Sequence, residues 1–297
     1  MSIVKKISDK LHLKQWGIGF IRQDIRTFIL EQNTQPVIEW LDAPDPAISS
    51  ADPFLLKTDA GEIRLLFERM TSYRMDGTIR QITLDNNLRP IREKELLAEG
   101  THLSYPFIYK ENGKTYIFPE NALGGSLTRY EYDEQAEALI NPQLVIDKPV
   151  LDSTIVHHQG KYWLFCTELG KDVHRNLLLF SADSLAGPYT PHPANPIKQD
   201  LYGSRPGGAI IEVEGQLYRP AQNCRNYYGE SLVINKINVL NANEFREEPY
   251  MEIKPSARDF NYGIHHIHFI DNLIVVDGQR NHFQPIQQLL RKLSKSF

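Results

Sequence analysis

Residues 104–120 read SYPFIYKENGKTYIFPE and contain the pattern that decides the fold. A run of aromatic and β-branched residues is followed by Asn112-Gly113, and a second hydrophobic run ends at Glu120. Asn-Gly supplies the left-handed backbone of a tight turn between antiparallel strands, so this segment predicts a β-hairpin. The same pattern recurs at residues 51–69, 151–168, 204–222 and 263–280.

The five hairpins begin at equivalent residues with a regular spacing. Their first residues, called the openers here, are Asp52, Tyr105, Asp152, Arg205 and His265. Successive openers are 53, 47, 53 and 60 positions apart, and further strand-like stretches lie between the hairpins. A repeat of about 50 residues that holds three or four short strands is typical of a propeller blade.

The predicted fold class is therefore all-β, a five-bladed β-propeller over residues 16–283 with short terminal helices. The segments 16–24 and 36–42 precede the first hairpin, and we expect one of them to complete the last blade and close the ring without a free edge. A β-sandwich is the alternative, but it does not explain why a charged or aromatic residue recurs at the same place in every hairpin.

The composition is that of an ordinary globular protein, with 297 residues, 41% hydrophobic and 24% charged. No run reaches the roughly 18 apolar residues of a spanning helix, and charges interrupt the N-terminal segment too often for a signal peptide, so we expect a cytoplasmic protein. The two cysteines, Cys166 and Cys224, have neither disulfide-framework nor zinc spacing. No metal or cofactor is therefore predicted.

The net charge of −4 is unevenly distributed along the chain. Residues 1–14 and 291–297 each carry about +3, which leaves about −10 on the body and argues against nucleic-acid binding. The terminal segments 1–15 and 284–297 combine these charges with apolar residues at helical spacing, which predicts basic amphipathic helices that contact the inner face of a membrane peripherally. Docking on the propeller or on a partner subunit is the alternative.

The openers should converge, because the first strand of each propeller blade runs beside the central channel. The second strand of a hairpin brings further polar residues to the same end, which adds Glu68, Glu120 and Gln222. Charged groups need partners or water when buried, so such a set is better suited to a polar ligand than to a core. The alternative is that the Asp openers only cap turns.

Two short motifs resemble five-bladed propeller glycosidases such as glycoside hydrolase family 43. They are SADPF at 50–54 and LDSTIV at 151–156. The resemblance implies that Asp52 is a general base and that Asp152 positions and tunes the general acid. Those hydrolases keep an acidic Glu in blade four, where this chain has SRPGG at 204–208, so the leaving oxygen would lack its proton donor.

A closer resemblance is to the propeller region at the N-terminus of glucosamine inositolphosphorylceramide transferases and related bacterial proteins of surface-glycan pathways. It rests on SRPGGAI, on YRPAQNC followed by Tyr228-Gly229, and on GIHHIH followed by VVDGQR, at residues 204–210, 218–224, 263–268 and 275–280. The resemblance implies the same fold and a sugar context.

An Arg in the place of the acid suits a phosphate leaving group, which needs positive charge rather than a proton. Arg205, His265 and Arg280 could supply that charge, and Asp52 could deprotonate an acceptor hydroxyl. The alternative for Arg205 is a salt bridge to Asp152 or Asp52 that braces the channel. Tyr228, on a loop, could stack on a sugar or a base.

The histidines of GIHHIH could suggest a metal, but alternate residues of a strand face opposite sides. We therefore expect one of them, His265, in the site and His266 and His268 packed between blades.

The leading interpretation is a carbohydrate-active enzyme that acts on a glycosidic or sugar-phosphate bond, a glycosyltransferase of surface-glycan or glycolipid biosynthesis. Two alternatives stay open: a glycoside hydrolase or phosphorylase with its acid displaced to Glu120 or Glu168, and a non-catalytic glycan-binding propeller. The predicted partners are a sugar or nucleotide-sugar ligand and a glycan or glycolipid acceptor.

Overall fold

The chain folds into five antiparallel sheets of four or five strands. The computed structural model describes residues 12–71 and 74–283. The two predicted terminal helices lie outside these residues, except that residues 12–15 belong to the first strand. None of the helices in the described ranges is long and apolar enough to cross a membrane.

The chain starts with a strand, a short helix and a two-residue strand: β1 (His12–Ile21), α1 (Ile25–Leu30) and β2 (Glu39–Trp40). Blade one contains β3 (Ile48–Lys57), β4 (Ile63–Thr71), β5 (Arg74–Leu84) and β6 (Pro90–Leu97). Blade two contains β7 (Ser104–Glu111), β8 (Lys114–Glu120), β9 (Leu127–Asp133) and β10 (Ala138–Ile146), with a 3₁₀ turn at Ala122–Gly124.

Blade three contains β11 (Val150–His158), β12 (Lys161–Glu168), β13 (Asn176–Ala182), β14 (Thr190–Pro191) and β15 (Lys198–Gln199). Blade four contains β16 (Tyr202–Pro206), β17 (Ile211–Val213), β18 (Gln216–Asn223), β19 (Ser231–Leu240) and β20 (Phe245–Ile253). Blade five begins with β21 (Ile267–Ile270) and β22 (Leu273–Phe283).

Both ends of the described chain build blade five, whose strand order is β21, β22, β1 and β2. β1 pairs with β22 over ten residues, from His12 opposite Phe283 to Ile21 opposite Ile274. The prediction of a five-bladed propeller is confirmed, and both of the candidate closing segments, rather than one, contribute strands to the last sheet.

The hairpin turns have the backbone that their sequences demand. At Asn112-Gly113 the two φ angles are 51° and 74°, and Gln159-Gly160 and Glu214-Gly215 repeat this left-handed pair. Two consecutive left-handed residues make the turn whose twist matches antiparallel strands, and glycine adopts the second position without steric cost.

Three of the openers sit on β-bulges at the start of their blades. The pairing of β3, β7 and β11 with the following strand breaks just after Ala51, Ser104 and Leu151. The openers that follow these residues have positive φ, 50° for Asp52, 42° for Tyr105 and 50° for Asp152. A bulge redirects a side chain away from the alternation of the strand, and non-glycine residues adopt this backbone only where surrounding contacts enforce it.

Blades four and five meet at the second glycine of SRPGG. Gly208 has a φ of 143° and pairs with Ile267 through a parallel bridge, and a Cβ at this position would lie 2.0 Å from the carbonyl oxygen of Ile267. Because that oxygen belongs to the backbone, it cannot move aside. The glycine therefore permits the close contact between the two blades that brings the blade-four opener beside the blade-five opener.

Candidate active site

A cavity of about 400 Å³ lies where the five blades meet. Every blade contributes to its lining, so the cavity is on the axis of the ring. The lining residues are Trp16, Ala51, Asp52, Glu68, Met70, His102, Ser104, Glu120, Leu151, His174, Arg205, Tyr228 and His265.

The structure brings most of the predicted site residues together. Six of them line the cavity: Asp52, Glu68, Glu120, Arg205, Tyr228 and His265. Asp152 and Gln222 are buried directly beneath, where Gln222 Nε2 donates to Asp152 Oδ2 at 3.2 Å. Tyr105 and Arg280 do not belong to the lining.

Tyr105 supports the site from behind. Its ring is fully buried, and its hydroxyl lies 2.6 Å from Oγ1 of Thr154 and accepts the backbone N–H of Gly208 at 2.9 Å. Burial raises the pKa of this hydroxyl well above its ordinary value. The predicted substrate contact of Tyr105 is therefore replaced by a contact with the glycine segment of blade four.

Arg280 points away from the predicted site. Its Nε donates to Gln15 Oε1 at 2.9 Å, its Nη2 donates to the carbonyl of Ala43 at 2.7 Å, and its guanidinium lies over the ring of Phe260. These contacts fasten the segment between β2 and β3 to blade five. The expectation that Arg280 supplies positive charge to the site is not supported by this position.

Arg205 forms an ion pair with Asp152 inside the channel. Its Nε donates to Asp152 Oδ2. Burial alone would lower the pKa of the guanidinium, but the charge of Asp152 outweighs burial, so this pKa lies well above its ordinary value. The other side of the guanidinium lies 5.0 Å from the ring of Tyr228, and Nη1 lies 3.3 Å from Nδ1 of His174. The salt bridge considered as an alternative for Arg205 is thus present, although the side chain still lines the cavity.

Asp52 lies beside a charged histidine. His265 Nε2 is 3.3 Å from Asp52 Oδ1, and His265 Nδ1 is 2.8 Å from Asp277 Oδ2. Both distances are those of ion pairs, although the contact of Nδ1 lacks the alignment of a hydrogen bond. Burial disfavours the imidazolium, but the two carboxylates, Asp277 foremost, outweigh it and raise the pKa of His265 well above its ordinary value. The site therefore contains an imidazolium between two aspartates.

Glu68 is buried next to other carboxylates. Burial, followed by the charges of Asp52 and Glu120, raises the pKa of Glu68 well above its ordinary value. Nε2 of His102 lies 3.2 Å from Glu68 Oε1, and Nδ1 of His102 accepts the backbone N–H of Gly77 at 3.2 Å. The second contact makes Nε2 the protonated nitrogen, so it faces the carboxyl group as an N–H.

Burial and a neighbouring carboxylate favour the protonated form of Glu120. Its Oε2 accepts the backbone N–H of Asp152 at 2.8 Å, and burial together with the charge of Asp152 raises its pKa to about 8. A carboxylic acid with a pKa near neutrality is suited to general acid chemistry.

This raised pKa predicts a pH dependence of stability. Between about pH 4.5 and about pH 8 the folded protein binds a proton at Glu120 that the unfolded chain has released, so the free energy of unfolding falls as pH rises through this interval. Thermal melts at pH 5 to 8 should show a smaller fall in Tm for Glu120→Gln than for the natural chain. If Tm fell equally with pH in the natural chain and in Glu120→Gln, Glu120 would not be a buried group that stays protonated.

Aromatic rings line one side of the cavity. The ring centroids of Trp16 and His265 are 4.1 Å apart, and Tyr228 lies 5.1 Å from His265 and 5.4 Å from His174. Aromatic faces beside carboxylates are the usual surroundings of a sugar ring, which presents apolar C–H faces and polar edges.

The blade-five histidines lie in two different environments. Among the described residues, ligand atoms of Asp52, His265 and Asp277 lie within 4.8 Å of one another, and the imidazolium already balances part of the charge of the two aspartates. His266 and His268 pack on Phe54 with centroid distances of 4.5 and 4.9 Å. The structure thus places His265 in the lining of the cavity and the other two histidines in the core, as the alternation of the strand led us to expect.

Sequence reasoning missed several residues in or beside the cavity, of which four bear on its chemistry. Trp16 comes from β1, His102 and His174 come from loops between strands, and Asp277 lies on the second strand of blade five. The sequence did contain a signal for Asp277, because this residue lies in VVDGQR, one of the motifs that resemble the propeller region of glucosamine inositolphosphorylceramide transferases. The other three had none, since the repeat does not fix the position of loops or of the closing strand.

The fold is a five-bladed β-propeller with a polar cavity where its blades meet. The chain belongs to the family described as glucosamine inositolphosphorylceramide transferase 1, N-terminal, whose sequence profile matches residues 34–279. It is 33% identical over 226 residues to glucosamine inositolphosphorylceramide transferase 1 of Arabidopsis thaliana, which covers 72% of this chain and 29% of the plant protein. The protein of that name from Oryza sativa subsp. japonica is 33% identical over 210 residues, or 69% of this chain and 28% of its own.

Solved structures share the fold at low sequence identity. A xylan β-1,4-xylosidase from Bacillus halodurans superposes with a TM-score of 0.53 and 16% identity, covering 70% of this chain and 47% of the xylosidase. A family 43 β-1,3-galactosidase in complex with galactodeoxynojirimycin gives a TM-score of 0.54 and 11% identity, covering 71% of this chain and 81% of the galactosidase. The chain itself spans less than a third of the plant relatives.

Proposed function

We propose that this chain transfers a sugar in the assembly of a surface glycan or glycolipid. The observation that carries the proposal is Asp52, a buried carboxylate of the cavity whose Oδ1 lies 3.3 Å from Nε2 of His265 and accepts no hydrogen bond from the residues that the structure describes. A carboxylate held in this way can accept the proton of a hydroxyl group that enters the cavity. The names of the plant relatives support sugar transfer, and extending that activity from those longer proteins to this chain is part of the proposal.

Charge favours a neutral or cationic sugar inside the cavity. Two cations, Arg205 and His265, face three aspartates in the lining or directly beneath it, Asp52, Asp152 and Asp277. The raised pKa values of Glu68 and Glu120 favour neutral carboxyl groups there, so a small negative excess is left. An amino sugar such as glucosamine, which appears in the names of the relatives, would complement this excess. A nucleotide-sugar donor would place its sugar in the cavity and its diphosphate at the mouth beside Arg205.

Calorimetric titration of the whole chain tests this function. Glucosamine, N-acetylglucosamine, glucose and the corresponding nucleotide sugars are titrated separately, and turnover is followed with a glycolipid or glycan acceptor. We expect binding of a nucleotide sugar, with the amino sugar bound more tightly than glucose. Absence of binding of every nucleotide sugar at millimolar concentration would overturn transfer from such a donor.

Arg205→Ala separates the two roles considered for this arginine. If the guanidinium neutralises a departing phosphate, the variant should lose about 2–4 kcal/mol of transition-state stabilisation and bind the nucleoside diphosphate product more weakly, as expected for the loss of one preorganised donor. Both quantities are measured by kinetics and calorimetry, with Arg205→Lys as the variant that keeps the charge. Unchanged diphosphate affinity with a shifted pH–rate profile would identify Arg205 as a brace for Asp152 instead.

Glycoside hydrolysis is the second candidate, and Glu120 favours it. The blade-four acid of the resembling hydrolases is absent, but Glu120 lines the same cavity with a pKa of about 8 and could protonate a leaving oxygen. Aryl glycosides with good and poor leaving groups distinguish the candidates: Glu120→Gln should slow only the poor leaving groups if the chain is a hydrolase. Sugar binding without any turnover would indicate the third possibility, a glycan-binding propeller.

The cellular location is a further part of the proposal. A cytoplasmic protein that contacts the inner membrane face through its basic termini would meet a lipid-linked acceptor there. Cell fractionation of the full chain and of a variant with its terminal lysines replaced tests this contact.

A further inference from the structure

Asp277 connects two blades through a single carboxylate. The side chain lies on β22 and is fully buried. Its Oδ1 accepts the backbone N–H groups of His265 and His266, each at 3.0 Å, and its Oδ2 accepts the backbone N–H of Asp52 at 3.2 Å. The same Oδ2 lies 2.8 Å from Nδ1 of His265. Asp277 thus contacts the blade-one opener and the blade-five opener at once.

The contacts of Asp277 define the charge and direction of His265. With Nδ1 facing Asp277 and Nε2 facing Asp52, each ring nitrogen has a carboxylate partner, which favours a proton on both nitrogens. The ring of Trp16, 4.1 Å from the imidazole centroid, covers it on another side. The positive charge is therefore held 3.3 Å from Asp52 Oδ1.

The backbone of Asp52 depends on the same carboxylate. Asp52 has a φ of 50° at the bulge of β3, a conformation that is unfavourable for a residue with a side chain. The hydrogen bond from its N–H to Asp277 is a contact from another blade that holds this bulge in place. Without the bulge, the carboxylate of Asp52 would follow the alternation of the strand.

We propose that Asp277 is a positioning residue, which holds the imidazolium of His265 against Asp52 and anchors the bulge that presents Asp52 to the cavity. The proposal rests on the proposed role of Asp52 as the base. Asp277 itself does not line the cavity, so it acts through the two openers.

Other groups also face this pair and belong in any pH measurement. Those that face His265 or Asp52 from neighbouring elements are Glu68 and Glu120 from the second strands of blades one and two, Tyr105 from β7, Cys224 and Tyr228 after β18, and the adjacent His266. Asp277 differs from all of these by contacting both the imidazole and the backbone of Asp52.

Nitrogen-15 NMR of the histidine rings tests the proposal without any substrate. In the natural chain the ring nitrogens of His265, assigned by their loss in His265→Gln, should both remain protonated from pH 6 to 8. In Asp277→Asn, an isosteric change that removes the charge, we expect one nitrogen to lose its proton within this range. A singly protonated His265 in the natural chain at pH 7 would overturn the proposal even if the variant does not fold.

Activity provides the second readout, with a matched control. Because His265 is expected to lose a proton between pH 6 and 8 in Asp277→Asn, the pH–rate profile of this variant should gain a titration step in that range that the natural chain lacks. Glu252→Gln changes a carboxylate that accepts hydrogen bonds from Ser231 and Tyr202 in blade four, outside the cavity lining, and should leave the pH–rate profile unchanged.

If Asp277→Asn had a lower Tm but unchanged histidine spectra and an unchanged pH–rate profile, the role of Asp277 would be purely structural. Failure of every activity assay, with the expected NMR result, would instead contradict the proposed function alone.

Discussion

Asp52→Asn should lower turnover by about 10²–10⁴-fold, the range expected when a general base is removed. Asparagine tolerates the left-handed backbone of residue 52 and keeps the size of the side chain, and His265 keeps Asp277 as a partner. The loss of turnover should therefore far exceed any loss of stability. Turnover of the sugar substrate and thermal melting of the same preparation measure both effects.

The control for this substitution is Asp85→Asn. Asp85 accepts the N–H groups of Asn87 and Arg89 in the turn between β5 and β6 and does not line the cavity. It should therefore keep full activity. If Asp52→Asn melted several degrees lower and retained its turnover, Asp52 would be a turn cap, and the proposed function would lose its base.

Arg219→Met should destabilise the fold by about 3–5 kcal/mol, since it removes one partner of a buried ion pair. The Arg219 side chain is fully buried and donates to Glu247 at 2.6 and 2.8 Å. It also donates to the backbone carbonyls of Gly203 and Ser204, which precede the blade-four opener. The substitution leaves these acceptors buried, and among the described residues Lys198 remains as the cationic partner of Glu247.

Denaturant unfolding measures the change, and Arg246→Met is the control. Arg246 pairs with Glu244 at the surface, where both side chains are more than half exposed, and such pairs contribute little. If Arg219→Met lowered the free energy of unfolding by less than 1 kcal/mol, water would be replacing the arginine. The buried ion pair would then not stabilise the part of β16 that precedes Arg205.

The architecture could be predicted because each blade repeats the same local chemistry. Turns such as Asn112-Gly113 have the backbone that their residues require, and the spacing of the hairpins sets the number of blades. The first strands bring openers to the ring axis, which is why Asp52, Arg205 and His265 could be assigned to one cavity.

The orientation of individual side chains could not be predicted in the same way. Arg280 and Asp277 are three residues apart on β22, so they face opposite sides of the strand, and it is Asp277 that meets His265. Tyr105 occupies an opener position, yet its large ring packs edge-on against Phe54 and fills the core between blades. The bulges that redirect openers depend on contacts between blades, and a repeat read along one chain does not contain those contacts.

The strand that closes the ring also supplies a wall of the cavity. His12 and Phe283, the outermost pair of β1 and β22, are 271 positions apart, so their pairing closes one of the longest loops the chain can form. Such non-local closure is entropically unfavourable and slow, and it is expected to come late in folding. Because Trp16 arrives with β1, an open ring does not have the complete cavity. A ligand would therefore bind only closed molecules, increase their population by mass action and slow hydrogen exchange of the β1 amides.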